Sequence, residues 1–195
     1  MAKKDKKKPI ENHIIAIVTT DTNYGMSKDG LSLFNIPDDI KHFSRAIVNG
    51  YIIMGKATYD NLQKGALPKG TIIVVTHNSK TTMDNLDPTE PNFVSMENVQ
   101  KWLLSQKEKK TNEKISVIGG GQIFEALLPY CEYIYITKVF KAAECIDLHF
   151  PNLDKMQTIW DMCYASDVTE YNGIKYQYRR YKNTKPVKPE KVKKK

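Results

Sequence analysis

Three consecutive glycines, Gly119, Gly120 and Gly121, constrain this chain more than any other feature, because they separate a β-branched run from a helix-like stretch. Before them, Ile115, Val117 and Ile118 form the kind of run a buried strand uses. After them, Ile123, Phe124, Leu127 and Leu128 recur at the spacing of an apolar helix face, and Pro129 marks its end. Glycines at such a junction can take dihedrals closed to other residues and let a ligand approach the backbone. The first N–H groups of the new helix have no partner within it and face outward. The pattern therefore predicts a seat for an anion or pyrophosphate. The dinucleotide fingerprint G-x-G-x-x-G is not completed, since Phe124 stands at its last position.

A chain of 195 residues with 41% hydrophobic composition is long enough for one full core. The charge is concentrated at the ends: residues 1–9 hold five Lys and one Asp, and residues 182–195 hold seven Lys and one Glu. Against a total of +8 the body is close to −2, so the basic character belongs to the tails. We read residues 10–182 as one domain, and residues 1–9 and 183–195 as disordered lysine-rich tails with little to bury. Solvated ends are the preferred reading over contact with nucleic acid or an acidic partner. No stretch approaches membrane-spanning length, and the N-terminal tail has no secretory apolar segment. Cys131, Cys145 and Cys163 are widely spaced and contain no C-x-x-C pair, which points away from a disulfide scaffold or zinc site and toward the cytoplasm. The histidines show no metal-ligand spacing.

In chain order, residues 13–20 are almost wholly apolar, as a central strand is. Residues 21–35, with Asn23, Gly25, Asp29 and Gly30, read as a long loop that serves as a lid. Pro37 and two aspartates then open a helix closed by Gly50, with Ile40, Phe43 and Ile47 as its buried stripe. Strands are expected at 51–55, 71–78 and 133–140, a short edge strand within 79–95, and a peripheral helix around Val99, Leu103 and Leu104. The Tyr171-Asn172-Gly173 turn predicts a C-terminal hairpin. The fold expected is α/β: a central, mostly parallel sheet with an antiparallel C-terminal hairpin, flanked by helices.

Asp39 stands out because it lies beside Ile40 and four residues before Phe43. Asp38 is explained as a first-turn acid on the helix dipole. A carboxylate on an apolar face next to a glycine-rich lid can grip the amidine-like edge of a flat heterocycle.

Taken together, residues 13–181 resemble the dihydrofolate reductase family. The resemblance rests on Ala16, Gly25-Met26, the Phe34-to-Phe43 segment with P-D-D-I-x-x-F, M-G-K-A-T at 54–58, Thr76-His77-Asn78, I-G-G-G-x-x-F at 118–124, Thr137, and residues 147–151. It implies NADPH-dependent reduction of 7,8-dihydrofolate to tetrahydrofolate, with hydride to C6 and a proton to N5. Asp39 would be the catalytic carboxylate, holding N3 and the 2-amino group of the pterin, with Thr137 in support. Ile15, Ala16, Ile17, Ile40, Phe43, Leu62, Leu67 and Ile118 would complete the substrate site. The cofactor site would comprise Ala16, Gly25, Met26, Gly55, Lys56, Ala57, Thr58, Thr76, His77, Asn78, Gly119, Gly120, Gly121, Gln122, Ile123 and Phe124. Lys56, Thr76 and His77 would surround the 2′-phosphate. No metal or membrane is implied, and a monomer or weak dimer is expected.

Three positions depart from the family pattern. Phe34 replaces a Trp and loses an indole donor, and Phe124 lacks the hydroxyl of the alternative Tyr. In the L-P-K-G-T turn, Gly70 aligns with the Arg that holds the folate glutamate, with Lys69 beside it. Two rival readings are a related ribosyl-pyrimidine reductase and a degenerate reductase fold kept as a binding module that docks through its lysine tails.

Overall fold

The computed structural model describes residues 14–47, 49–62, 67–77, 79, 81–109 and 113–188; His13, Asn78 and the outer parts of both tails lie outside them. Strand β1 (Ile14–Thr20) is followed by the short strands β2 (Gly25–Lys28) and β3 (Leu31–Ser32), then helix α1 (Pro37–Ile47). Next come β4 (Gly50–Gly55), α2 (Lys56–Asn61), β5 (Gly70–Val75), β6 (Asn92–Val94) and α3 (Met96–Glu108). The chain continues through β7 (Ile115–Gly119), α4 (Gly121–Leu127), β8 (Tyr133–Val139) and β9 (Leu148–His149). It ends with β10 (Trp160–Ala165), β11 (Thr169–Tyr171) and β12 (Ile174–Asn183).

The main sheet has the order β10-β12-β8-β1-β7-β4-β5-β6, with β11 on β12. The strands from β8 to β6 are parallel neighbours, and β12 and its partners are antiparallel. This is the mostly parallel sheet with an antiparallel C-terminal hairpin that the sequence predicts. Asn172 and Gly173 both have positive φ, the requirement of the tight hairpin turn read from the N-G pair.

Alternation along the strands assigns side chains to two cores. Ile14, Ala16 and Val18 join Val117, Val99, Leu103, Phe124 and Leu127 on the side of α3 and α4. Ile17, Ile52, Met54, Ile72 and Val74 pack with Ile47 of α1 on the other side. From β1 the chain crosses over α1 to β4, and the place beside β1 is later filled by β7. Such a reversal in strand order opens a crevice at the C-terminal ends of the parallel strands.

Three expectations change. The 21–35 segment is not one loop: an Asp29-Gly30 turn, positive in φ at both residues, folds β2 onto β3, and β9 completes a small three-stranded sheet. Ile40 is 54% exposed and outside the buried stripe, because the inward line of α1 runs through Asp39 and Ile47, with Phe43 half-buried between them. The chain also stays packed past residue 182. Asn183 is buried, its amide donates to the Glu132 carbonyl at 2.8 Å, and the Val187 amide donates to the Pro129 carbonyl at 2.9 Å. Among the described residues no helix is long and apolar enough to cross a membrane, and all three cysteines are free thiols.

Candidate active site

Asp39 occupies the first turn of α1 and is 8% exposed. Thr137 Oγ1 donates to Asp39 Oδ1 at 2.5 Å, a contact between residues 98 apart in sequence. Thr19 Oγ1 donates to Oδ2, also at 2.5 Å. Thr19 and Thr137 are register partners on the adjacent parallel strands β1 and β8, so two neighbouring hydroxyls clasp the two oxygens of one carboxylate. Each oxygen keeps further acceptor capacity, enough for a pair of N–H donors from a flat ligand. The family resemblance implied Thr137; Thr19 was not read at all. The available signal was strand alternation, which puts Thr19 on the same side of β1 as Ile17.

The wall beside this carboxylate is apolar. Ile17 is buried there, and Phe43, Leu62, Leu67 and Ile118 pack half-buried against the same cluster. Ile15 is 8% exposed on the same face, and Ile40 stands at the rim. Ala16 belongs to the opposite core, so only its backbone can face the crevice. Beside the site, His42 of α1 stacks on Tyr178 of β12 with ring centroids 4.2 Å apart. Burial holds the His42 imidazolium below its usual range. Burial, then the neighbouring charges of Tyr176 and Asp39, push the Tyr178 phenol up.

At the C-terminal end of β7 the glycines have distinct tasks. Gly119 has φ 117, and an added Cβ would lie 3.0 Å from the Phe124 ring. Gly55, at the end of β4, is needed by the protein itself: its added Cβ would meet Ile123 at 2.9 Å. At Gly120 and Gly121 an added Cβ would find no protein atom nearer than Thr58 Oγ1 at 3.4 Å and Leu148 at 3.6 Å respectively. An added Cβ there would make only ordinary contact with Thr58, Leu148 and Met26, which border the bare backbone of this glycine cradle. Both α2 and α4 start at glycines without side-chain caps, leaving backbone N–H groups free for an anion.

The remaining sites fall unevenly around this cradle. Gly25 and Met26 lie in β2, and Lys56, Ala57 and Thr58 open α2. Gln122 and Ile123 follow the cradle in α4. Lys56 is half-exposed and ion-pairs with Asp60, which offsets part of its charge. Thr76 and the exposed His77 follow β5, and the Thr76 amide already donates to the Val94 carbonyl at 3.0 Å. Phe124 is 1% exposed and set edge-on against Phe150, so it lines the floor and not the opening. Gly70 cannot stand for an arginine: its φ is 153, and an added Cβ would meet the Gly50 carbonyl oxygen at 2.4 Å.

Two carboxylates to which the sequence reading assigned no role organise the small sheet. Asp21 is fully buried and accepts from the amides of Asn23 and Gly25, both at 2.7 Å, and of Ala143 at 3.1 Å. Asp147 accepts from Ser27 Oγ at 2.5 Å and the Gly30 amide at 2.8 Å, bonds that hold its carboxyl below the usual carboxylate range.

Comparison with known proteins places this geometry. The dihydrofolate reductase family model matches residues 13–183. The dihydrofolate reductase of Enterococcus faecium is 30% identical over 167 residues, spanning 86% of this chain and 90% of that protein. The bifunctional dihydrofolate reductase-thymidylate synthase of Glycine max is 31% identical over 179 residues, 85% of this chain and 32% of its own length, so the chain spans about a third of that relative. Among solved structures, Enterococcus faecalis dihydrofolate reductase complexed with NADP(H) and RAB-propyl shares the fold, with a TM-score of 0.70 and 22% identity over 90% of this chain and 98% of that one. With the match running from ahead of β1 to the end of β12, the chain belongs to the dihydrofolate reductase family.

Proposed function

We propose that this chain reduces 7,8-dihydrofolate to 5,6,7,8-tetrahydrofolate with NADPH. The observation that carries this reading is the buried Asp39 carboxylate, clasped by Thr19 and Thr137 at the mouth of an apolar crevice that adjoins the glycine cradle. In this reading Asp39 accepts from N3–H and the 2-amino group of the pterin, and organises the proton that reaches N5. Ile15, Ile17, Phe43, Leu62, Leu67 and Ile118 exclude water around the ring, and Ile40 at the rim covers its benzoyl extension.

The cofactor fits what is present. Gly120 and Gly121 would present backbone without a Cβ to the pyrophosphate, with Thr58 and the starts of α2 and α4 supplying donors. Lys56, Thr76 and His77 would meet the 2′-phosphate, Lys56 by releasing Asp60. NADPH, when bound, supplies the hydride for C6.

The test is loss of NADPH absorbance on addition of dihydrofolate, with Asp39→Asn as the diagnostic variant. Asp39→Asn is expected to bind NADPH as the parent does and to turn over roughly a hundredfold or more slowly at neutral pH. An absence of dihydrofolate-dependent oxidation in the parent, or near-parental rates in Asp39→Asn, would remove this reading.

A further inference from the structure

A second concave site lies on the same face of the sheet as α1, toward the opposite edge from the glycine cradle. His42 of α1 forms one wall, and β8, β12 and β10 contribute Tyr135, Tyr178, Arg179, Arg180 and Tyr164 around a cleft of about 230 Å³. Among the described residues no carboxylate lines it, though the Asp39 charge in the neighbouring crevice acts on His42 and Tyr178.

Arg180 and Arg179 are differently committed. Arg179 Nε donates to Gln177 Oε1 at 2.8 Å, and its guanidinium lies 5.6 Å from the Phe140 ring. Arg180 sits between two rings, 5.6 Å from Tyr133 and 5.9 Å from Tyr164, and its backbone carbonyl accepts from Cys163 Sγ at 3.3 Å. Its Nε is nevertheless buried and finds no acceptor among the described residues. A buried N–H of this kind is uncommon and costly, and a ligand in the cleft reaches it only when the Arg180 side chain shifts toward it. A guanidinium is a planar fork matched to a carboxylate or phosphate.

The rest of the lining sets the shape of the partner. Tyr164 is 53% exposed beside Arg180, and the His42–Tyr178 stack offers a second flat surface. Drug-sized ligand sites run from about 300 to 1,000 Å³, so this cleft holds a single ring and one charged group. We propose that the cleft binds a small aromatic anion, one ring bearing one carboxylate or phosphate, with the ring against Tyr164 and the His42–Tyr178 stack and the anionic group on Arg180. Stacking against aromatic faces is tolerant of ring identity, so the chemistry selects a class and not one compound.

The test uses benzoate and phenyl phosphate as probes, with inorganic phosphate as the ringless control, followed through the His42 ring proton signals in NMR. Each aromatic probe is expected to shift these signals saturably, and whichever binds more tightly identifies the carboxylate or phosphate source. Arg180→Gln should weaken both by about tenfold or more, the worth of a charge-assisted hydrogen bond. Arg180→Lys, which keeps the charge and loses the fork, should fall between. Tyr164→Ala changes an exposed side chain, leaves the fold intact by circular dichroism, and should also weaken binding. Absence of a saturable shift, equal response to inorganic phosphate, or unchanged affinity in Arg180→Gln and Tyr164→Ala would overturn the proposal. Displacement by saturating dihydrofolate would also overturn it, since the probe would then occupy the crevice beside Asp39. The NMR readout needs no turnover, so the proposal stands or falls independently of the reductase reading.

Discussion

Thr19→Val removes one hydroxyl while keeping the shape and β-branching that suit β1. That hydroxyl donates to Asp39 Oδ2 at 2.5 Å, and the carboxylate is 8% exposed, so water has little room to replace the lost donor. A hydrogen bond to a charged group is worth about 1.5 to 3 kcal/mol. At 1.4 kcal/mol per decade this corresponds to roughly 10- to 150-fold. The bond also fixes the plane of the carboxylate: with Thr137 alone on Oδ1, Asp39 can swing about that contact and present its oxygens at the wrong angle. We therefore expect Thr19→Val to lower kcat/KM for dihydrofolate by about 10- to 150-fold, within the range of one charge-assisted bond. Thr137→Val should cost a similar factor. The double variant should lose less than the product of the two, because both hydroxyls act through one group. The assay is steady-state NADPH oxidation at neutral pH, with thermal midpoints to exclude unfolding. A Thr19→Val enzyme within about twofold of the parent would refute the clasp as a working part of the site, given the size expected for such a bond.

Gly70→Arg, the change that would restore the family's arginine, is expected to lower the thermal midpoint without improving KM for dihydrofolate, since the positive φ alone costs about 1 to 3 kcal/mol and the Gly50 carbonyl blocks the side chain. A parental midpoint with a lower KM would show that the turn can reshape. Ending the chain after Lys182 removes the bonds of Asn183 to the Cys131 and Glu132 carbonyls and of Thr184 to the Ile159 carbonyl. It should destabilise by about 1.5 kcal/mol or more relative to a chain ending at Lys188, and equal midpoints by calorimetry would contradict this. His42 is held below its usual pKa by burial, so its contribution to stability is present above pH 6.5 and is lost as the pH falls toward the folded value. His42→Phe, which keeps the stack on Tyr178, should be less sensitive than the parent between pH 7 and 5; parallel melting curves over that range would argue against it.

What could be read from the sequence was whatever depends on local pattern. The β-branched runs of β1, β4, β5 and β7 are buried on both faces and announce themselves without neighbours. The N-G pair at Asn172 specified its hairpin, yet the equivalent D-G pair at Asp29 was taken for loop, because two-residue β3 is too short to show alternation. Asp39 was legible from its place beside apolar helix positions, and Thr137 came only through resemblance. Thr19 and the aromatic lining of the second cleft depend on which strands become neighbours, and pairings such as Thr19 with Thr137 are set by topology. The crowding at Gly70 has the same origin: nothing in L-P-K-G-T tells that the Gly50 carbonyl will pass directly over it. The tail boundary failed because Asn183 and Val187 are polar or isolated in sequence and gain their partners only after β12 is laid down.

The position of β1 bears on how the chain reaches its folded state. It is made early yet lies in the middle of the sheet, with β7 on one side and β8 on the other, strands that arrive roughly a hundred residues later. Until they emerge from the ribosome, an almost wholly apolar strand has both hydrogen-bonding edges open, and β4 and β5 have no route to join it. Closing loops of that length before any pairing is gained makes for slow folding and a long exposure to other nascent chains. Fragments that stop short of β8 should therefore aggregate and not form a smaller stable unit, and complementation by two separately expressed halves should succeed only when both are present during refolding.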